Sequence, residues 1–380
     1  MIGKLTRGVV CSLTGILVQP AYAQSTVTLY GLLDAGISYV NNQAGSSKVF
    51  FGDGINFGNR FGFRGREDLG GGNAAIFNLE NGFSLGSGEF RQGGRMFGRQ
   101  AWMGLATPYG TVTGGRQYDF VRDYIQQFNI GGYASVYAGH QGDFDRISGK
   151  QIDYSIKYAS PNFSGFSFGA MYGFGQQRFD SSRGSAWSVG AGYKDGPVSV
   201  GAVYTRLDDV AIHPYLTSGL FSFLGRETAE LDASRPTGVN DRFPITSRGV
   251  QLDKQTIAGI GASYRFANQF AVLANATATT FDDGERSSTQ QVYEVGVSIP
   301  LASGTTGLLA YQFSKLEGTK WHQPTAGVRY DLSKRTWLYA SASYLKATNG
   351  THASQGAGFY LIPADGSTQV TGRVAMVHTF

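Results

Sequence analysis

Along most of the chain, apolar and polar side chains alternate one by one in runs of roughly ten residues, the period of a strand with two unlike faces. Between Asp153 and Tyr158, one face carries Tyr154, Ile156 and Tyr158, and the other carries Asp153, Ser155 and Lys157. Tyr293, Val295, Val297 and Ile299 likewise share a face, with Glu294 on the reverse. Sixteen such strands are predicted: near 26–40, 56–66, 73–84, 95–106, 111–118, 151–160, 164–175, 185–194, 197–206, 254–266, 268–281, 290–300, 304–316, 322–331, 335–348 and 368–380. Seven connections are tight, and the eight between them are generally longer, with extremes at Asp119–Lys150 and Leu207–Asp253. An even strand count with both termini at the tight-turn end is the parity of a closed antiparallel barrel.

What the apolar face meets is decided by composition. After the first two dozen residues no apolar run reaches the roughly 18 needed for a membrane-spanning helix. Yet the 380 residues include 55 glycines, 21 tyrosines and 26 phenylalanines against 10 prolines. A transmembrane barrel uses aromatics in two interfacial girdles, glycine where strands bend and pack, and polar side chains toward a wet lumen. A soluble sandwich would also alternate, but it would hide its apolar face in a core. The final strand stops on an aromatic, Phe380. That ring is expected at the membrane interface, on the strand that closes the barrel and engages the barrel assembly machinery.

The N-terminus states a destination. Lys4 and Arg7 precede an apolar stretch from Gly8 to Val18 and then Ala21-Tyr22-Ala23, the layout of a secretory signal peptide over residues 1–23. The barrel domain is then 24–380, placed in the outer membrane after export. The sole cysteine, Cys11, lies inside the signal, so the exported chain has neither a disulfide nor a thiolate metal site.

Chemistry is sparse. Residues His140, His213, His322, His352 and His378 form no local constellation, and the chain has no HExxH, GxSxG or phosphate-cradling loop. No catalytic residue, metal site or cofactor is expected. Setting Lys4 and Arg7 aside leaves 30 basic against 27 acidic residues, a net +3, too modest for nucleic-acid binding when the aromatics belong to a lipid belt. On the second strand, Phe61 and Phe63 take the lipid face and put Arg60 and Arg64 toward the lumen. On the fourth, Trp102 read as a lipid marker puts Arg99 and Ala101 inside. Arginine facing lipid at mid-membrane would cost about 2 to 4 kcal/mol, which favours these inward assignments.

Longer stretches carry a family resemblance. Thr28-Leu-Tyr-Gly-Leu-Leu-Asp-Ala-Gly36, Arg60-Phe-Gly-Phe-Arg-Gly-Arg-Glu-Asp-Leu-Gly-Gly-Gly72, Phe97-Gly-Arg-Gln-Ala-Trp-Met-Gly-Leu105, Tyr109-Gly-Thr-Val-Thr-Gly-Gly-Arg-Gln-Tyr118 and Ser333-Lys-Arg-Thr-Trp-Leu-Tyr-Ala340 span the exported chain. With the C-terminal strand, they resemble the trimeric general porins of Gram-negative outer membranes, in the branch of Burkholderia, Bordetella, Comamonas and Neisseria. The resemblance implies an all-β, 16-stranded antiparallel transmembrane barrel whose third external loop, here Gln117–Gln151, folds inward and narrows the lumen. It implies a homotrimer among outer-membrane lipid and lipopolysaccharide, passing small hydrophilic solutes and ions passively, with a mild anion preference. Arg60, Arg64 and Arg99 would be the basic wall of the constriction; the plainer alternative is lumen arginines away from it. Asp119, Asp123, Asp143 and Asp145 would supply acidic loop charges, with Arg146 and Lys150 on the basic side. Gln151 departs from the pattern, standing where the family often has an arginine, and Arg116 fits a subunit contact better than the pore. The alternative is a substrate-specific channel or an adhesin-like surface barrel, since the segment from Leu207 to Asp253 is long enough to cover the mouth.

Overall fold

The computed structural model describes residues 25–175, 184–231, 245–358 and 361–380; the expected signal peptide, 1–23, lies outside the described residues. Alternating segments pair with their sequence neighbours, and the first pairs with the last. The strands are β1 (Thr26–Gln43), β2 in two pieces (Ser46–Asp53 and Arg60–Gly70), β3 (Asn73–Gly82), β4 (Gln100–Thr107), β5 (Gly110–Tyr118) and β6 (Gln151–Ala159). Next come β7 (Phe166–Gly173), β8 (Ala186–Asp195), β9 (Val198–Ile212), β10 (Val250–Arg265) and β11 (Ala271–Asp282). The remainder are β12 (Ser287–Ala302), β13 (Thr305–Leu316), β14 (Thr319–Asp331), β15 (Thr336–Ala347) and β16 (Thr368–Thr379). Both pieces of β2 pair with β1. Pairing of Leu32–Val40 with Thr371–Thr379 closes the 16-stranded antiparallel barrel. Phe380 exchanges backbone hydrogen bonds with Gly31 at 3.1 and 3.2 Å. Its ring lies 2.2 Å from where a Cβ on Gly31 would stand, so only glycine admits the terminal ring there.

The longer connections are less uniform than the sequence predicts. β1 turns directly into β2 through Ala44 and Gly45, both at positive φ, whereas the alternation predicts a connection over 41–55. Several strands also outrun their apolar stretches: β9 reaches Ile212 and β12 begins at Ser287. Backbone pairing continues past the apolar stretches, to Ile212↔Val250 and Asp282↔Ser287. Two long connections fold on themselves. After β9, a short helix, Pro214–Ser218, leads into Leu220, Phe223 and Leu224, which pack with Phe144, Phe281 and Trp321.

Facing follows the pairing. Exposed Tyr154, Ile156, Tyr293 and Val295 form an outer apolar belt, and Ser155 and Glu294 are buried on the inner face. Trp102 corrects its sequence assignment. It stands opposite Asn78 on the inner face and donates to Gln100 Oε1 at 3.0 Å, whereas Met103 and Leu105, 70% and 53% exposed, are the outward pair. Ala101, two residues before Met103, shares that face and points outward, not into the lumen. Arg99 is inward for another reason: the chain bends before β4 starts, releasing that side chain from the alternation.

Residues 119–150, between β5 and β6, lie against the inner face. Phe120, Tyr124, Phe128 and Ile130 occupy the space over Gly169, Gly190, Gly201, Gly261 and Gly296, one glycine each on β7, β8, β9, β10 and β12. A Cβ at any of the five would come within 1.9 to 2.4 Å of an atom of this segment. The inner-wall glycines thus record where the segment rests. Polar side chains fix it further: Gly131 N donates to Glu294 at 2.9 Å, Gln141 N to Gln312 at 3.0 Å, and Gln323 to the Tyr137 carbonyl at 2.9 Å.

Candidate functional site

A second inward excursion faces this segment. Residues 54–59 leave β2 and are held by buried carboxylates: Asp34 accepts from the Asn56 and Phe57 amides at 2.7 and 3.1 Å, and Asn59 bridges Asp34 N and Asp53. Asp34 is itself paired with Arg373 at 3.0 Å, both side chains fully buried. From this ledge Asn56 reaches across, accepting from Val136 N at 2.6 Å and donating to the Tyr133 carbonyl at 3.2 Å. Between ledge and segment lies a cavity of about 730 Å³. Its charged lining is Arg60, Arg91, Arg99, Arg122, Arg146 and Lys150 against one carboxylate, Asp143, with His140 beside them.

These cations are not equivalent. Arg99 pairs with Glu80 at 2.7 Å, Arg91 with Asp53 at 3.5 Å and Lys150 with Asp143 at 3.1 Å, and Arg146 bonds to Asp119. Arg60 and Arg122 make no ion pair among the described residues. Arg60 stands within electrostatic reach of Arg99, of the Glu80 carboxylate that Arg99 engages directly, and of Arg122. Arg122 lies over the Tyr118 ring, 4.0 Å from its centroid, a contact that positions the guanidinium without neutralising it.

The sequence-predicted residues separate accordingly. Arg60, Arg99, Arg146, Lys150 and Asp143 are brought together around the cavity. Arg64 is not: it sits four residues nearer the tight-turn end, exposed, with its guanidinium 5.4 Å from the Tyr30 ring. Asp119, Asp123 and Asp145 stay off the lining, paired with Arg146, Lys157 and His140 respectively. Residues 119–150 therefore turn a mainly basic side to the cavity. Arg116 lies on the outer face, opposite Ala101, and pairs with Asp153.

Sequence reading missed Arg122, Arg91, Asn56 and the His140 cluster. For Arg122 a signal exists: Tyr118 and Arg122 are four apart where the strand gives way to the helical turn Val121–Ile125, which brings an aromatic and a cation onto one side. His140 has one partner close by, Asp145 five residues on, but the second, Glu294, lies on a distant strand. The histidine is fully buried, bonded to Asp145 and 3.3 Å from Glu294. Burial alone would push the imidazole down, but the two carboxylates hold it protonated, with the pKa raised to about 10. Burial would likewise raise Asp145, and His140 instead keeps it below the usual carboxylate range.

A closed barrel with an apolar outer belt, a polar inner face and a charged inner cavity defines a transmembrane channel of the outer-membrane type. The Gram-negative porin model matches residues 13–350, and the chain belongs to that family. An outer membrane porin protein of Bordetella pertussis is 31% identical over 86% of this chain and 90% of its own length. Outer membrane porin protein 32 of Delftia acidovorans is 30% identical, over 95% of both. Among solved structures, the anion-selective porin from Comamonas acidovorans superposes with a TM-score of 0.76 at 24% identity, covering 94% of this chain and 100% of that one, a likeness of fold.

Proposed function

We propose that this passive outer-membrane channel prefers anions, and that its constriction lies between the ledge at 54–59 and the inward-folded segment 119–150. The observation that carries the reading is the cavity lining, six cations against one carboxylate. Charges around a narrow wet pore set ion preference through their near field, and unpaired ones count most. Arg60 and Arg122 are assigned the leading role, with Arg99, Arg91, Arg146 and Lys150 supporting. Arg64 is assigned to the vestibule on the periplasmic side.

The relative from Comamonas is described as anion-selective, which accords with this reading. A trimeric form of a structural neighbour from Vibrio cholerae supports a homotrimer. Residues 1–23 are proposed to be the signal peptide, and the strand ending in Phe380 the segment engaged by the assembly machinery. The test is the zero-current potential of refolded protein in a planar bilayer under a potassium chloride gradient. A potential of the sign for chloride supports the assignment, and one of the sign for potassium removes it.

A further inference from the structure

The outer face of β13–β15 carries a second basic feature, far from the cavity. Lys315 stands directly opposite Lys320, and His322 directly opposite Lys346. All three lysines are exposed and share the face of Tyr311, Val328 and Tyr344 in the apolar belt. Like charges set directly across a strand pair repel. Among the described residues no carboxylate pairs with any of the three. Glu317, nearest along the chain, sits at the hairpin tip and bonds to none of them.

The position is specific. Lys320 is ten residues along β14 from Tyr330, on the same face at the tight-turn end. At roughly 3.3 Å per residue and a tilt near 40°, that is about 25 Å across the membrane, the height of the apolar band. The lysines therefore stand at its extracellular edge. Just below them Tyr293, Phe313, His322 and Tyr311 form an aromatic platform: Phe313 is 6.4 Å from Tyr293 and 5.1 Å from His322, and Tyr311 Oη is 2.6 Å from His322 Nδ1.

We infer that this patch docks a phosphorylated lipid headgroup of the outer leaflet, its phosphates between Lys315, Lys320 and Lys346 and its acyl chains along the platform. The occupant must be anionic, because the protein leaves the repulsion uncompensated, and amphiphilic, because the cations end where the lipid-facing belt begins. A soluble anion has no use for the aromatics, and an acidic protein would have to enter the bilayer edge.

The test uses full-length refolded protein in nanodiscs carrying bisphosphorylated lipid A or its dephosphorylated form, with retained lipid counted by native mass spectrometry. Wild type should hold the phosphorylated form about fivefold or more better than the dephosphorylated one. Lys315→Gln/Lys320→Gln/Lys346→Gln should lose that excess, and the triple arginine variant should keep it. Unchanged conductance certifies the fold of each variant, since none of these lysines lines the cavity. In lipid-free detergent, Lys320→Gln alone should raise the melting temperature by relieving the repulsion, and lipid A should raise wild type more than the variant. Equal retention by the glutamine triple would overturn the proposal. So would retention indifferent to the phosphates, or displacement of lipid A by equimolar inorganic phosphate, which would mean a free-anion site.

Discussion

Replacing Arg122 by glutamine removes one unpaired charge from the cavity while keeping a side chain that still covers Tyr118. Consider a permeant ion passing about 6 Å from the guanidinium. In water a unit charge at that distance contributes about 0.7 kcal/mol, reduced to about 0.4 kcal/mol by a Debye length of about 10 Å in 0.1 M salt. Chloride loses this stabilisation and potassium escapes an equal repulsion, so the differential is about 0.8 kcal/mol. The chloride-to-potassium permeability ratio should therefore fall about fourfold in 0.1 M salt, where 1.4 kcal/mol would be tenfold. In 1 M salt the Debye length shortens to about 3 Å and the same substitution should change the ratio by only about 1.4-fold. Arg116→Gln, on the outer face, serves as control and should leave the ratio alone. Zero-current potentials under matched gradients at both salt levels provide the readout. A ratio unmoved by Arg122→Gln at low salt, or shifted equally at both, would refute the near-field argument.

Other outcomes follow from the packing. Gly296→Ala places a methyl 1.9 Å from Ile130, so it should push the segment 119–150 off the wall toward the ledge and lower single-channel conductance; Gly114→Ala, which meets open space, should not. The His140 pKa is raised above the ordinary 6.5 to about 10, so its contribution to anchoring is full below about pH 6.5 and disappears as pH rises through about 10. Hydrogen exchange across 119–150 should accelerate over that alkaline window in wild type, whereas His140→Gln should exchange fast already at neutral pH. Arg373→Met strands the buried carboxylate of Asp34, costing about 3 to 5 kcal/mol, and should lower the temperature at which the barrel unfolds in detergent. Adding Asp34→Asn to it should restore part of the loss; no recovery would show that packing, not the stranded charge, sets the penalty.

What was legible in the sequence was whatever depends on neighbours along one strand. Alternation over about ten residues marks a two-faced strand wherever it occurs, so strand number, closure parity and the outward set at Tyr154 and Tyr293 could be read before any fold was known. Arg60 lines the cavity on the face opposite Phe61 and Phe63, following the alternation of its strand. Trp102 departs from its expected side, since a tryptophan prefers the membrane belt only on average and its actual side is set by pairing with Asn78.

Tertiary structure alone decided what the charges do. Asp119, Asp123 and Asp145 look like an acidic wall in sequence, but each finds a cation that only folding brings near, and so leaves the cavity. Arg122 looks like one loop charge among several and becomes a half-buried cation lining the cavity, held over the Tyr118 ring with no ion-pair partner among the described residues. His140 is held charged first by Asp145 and then by Glu294, 154 residues away along the chain, which only the fold brings to its ring. The glycines of five different strands acquire their common purpose only when the barrel curves them under one segment. Periodicity is a local property of the covalent chain, whereas the sign of a pore's field is a sum over pairs that closure of the barrel creates.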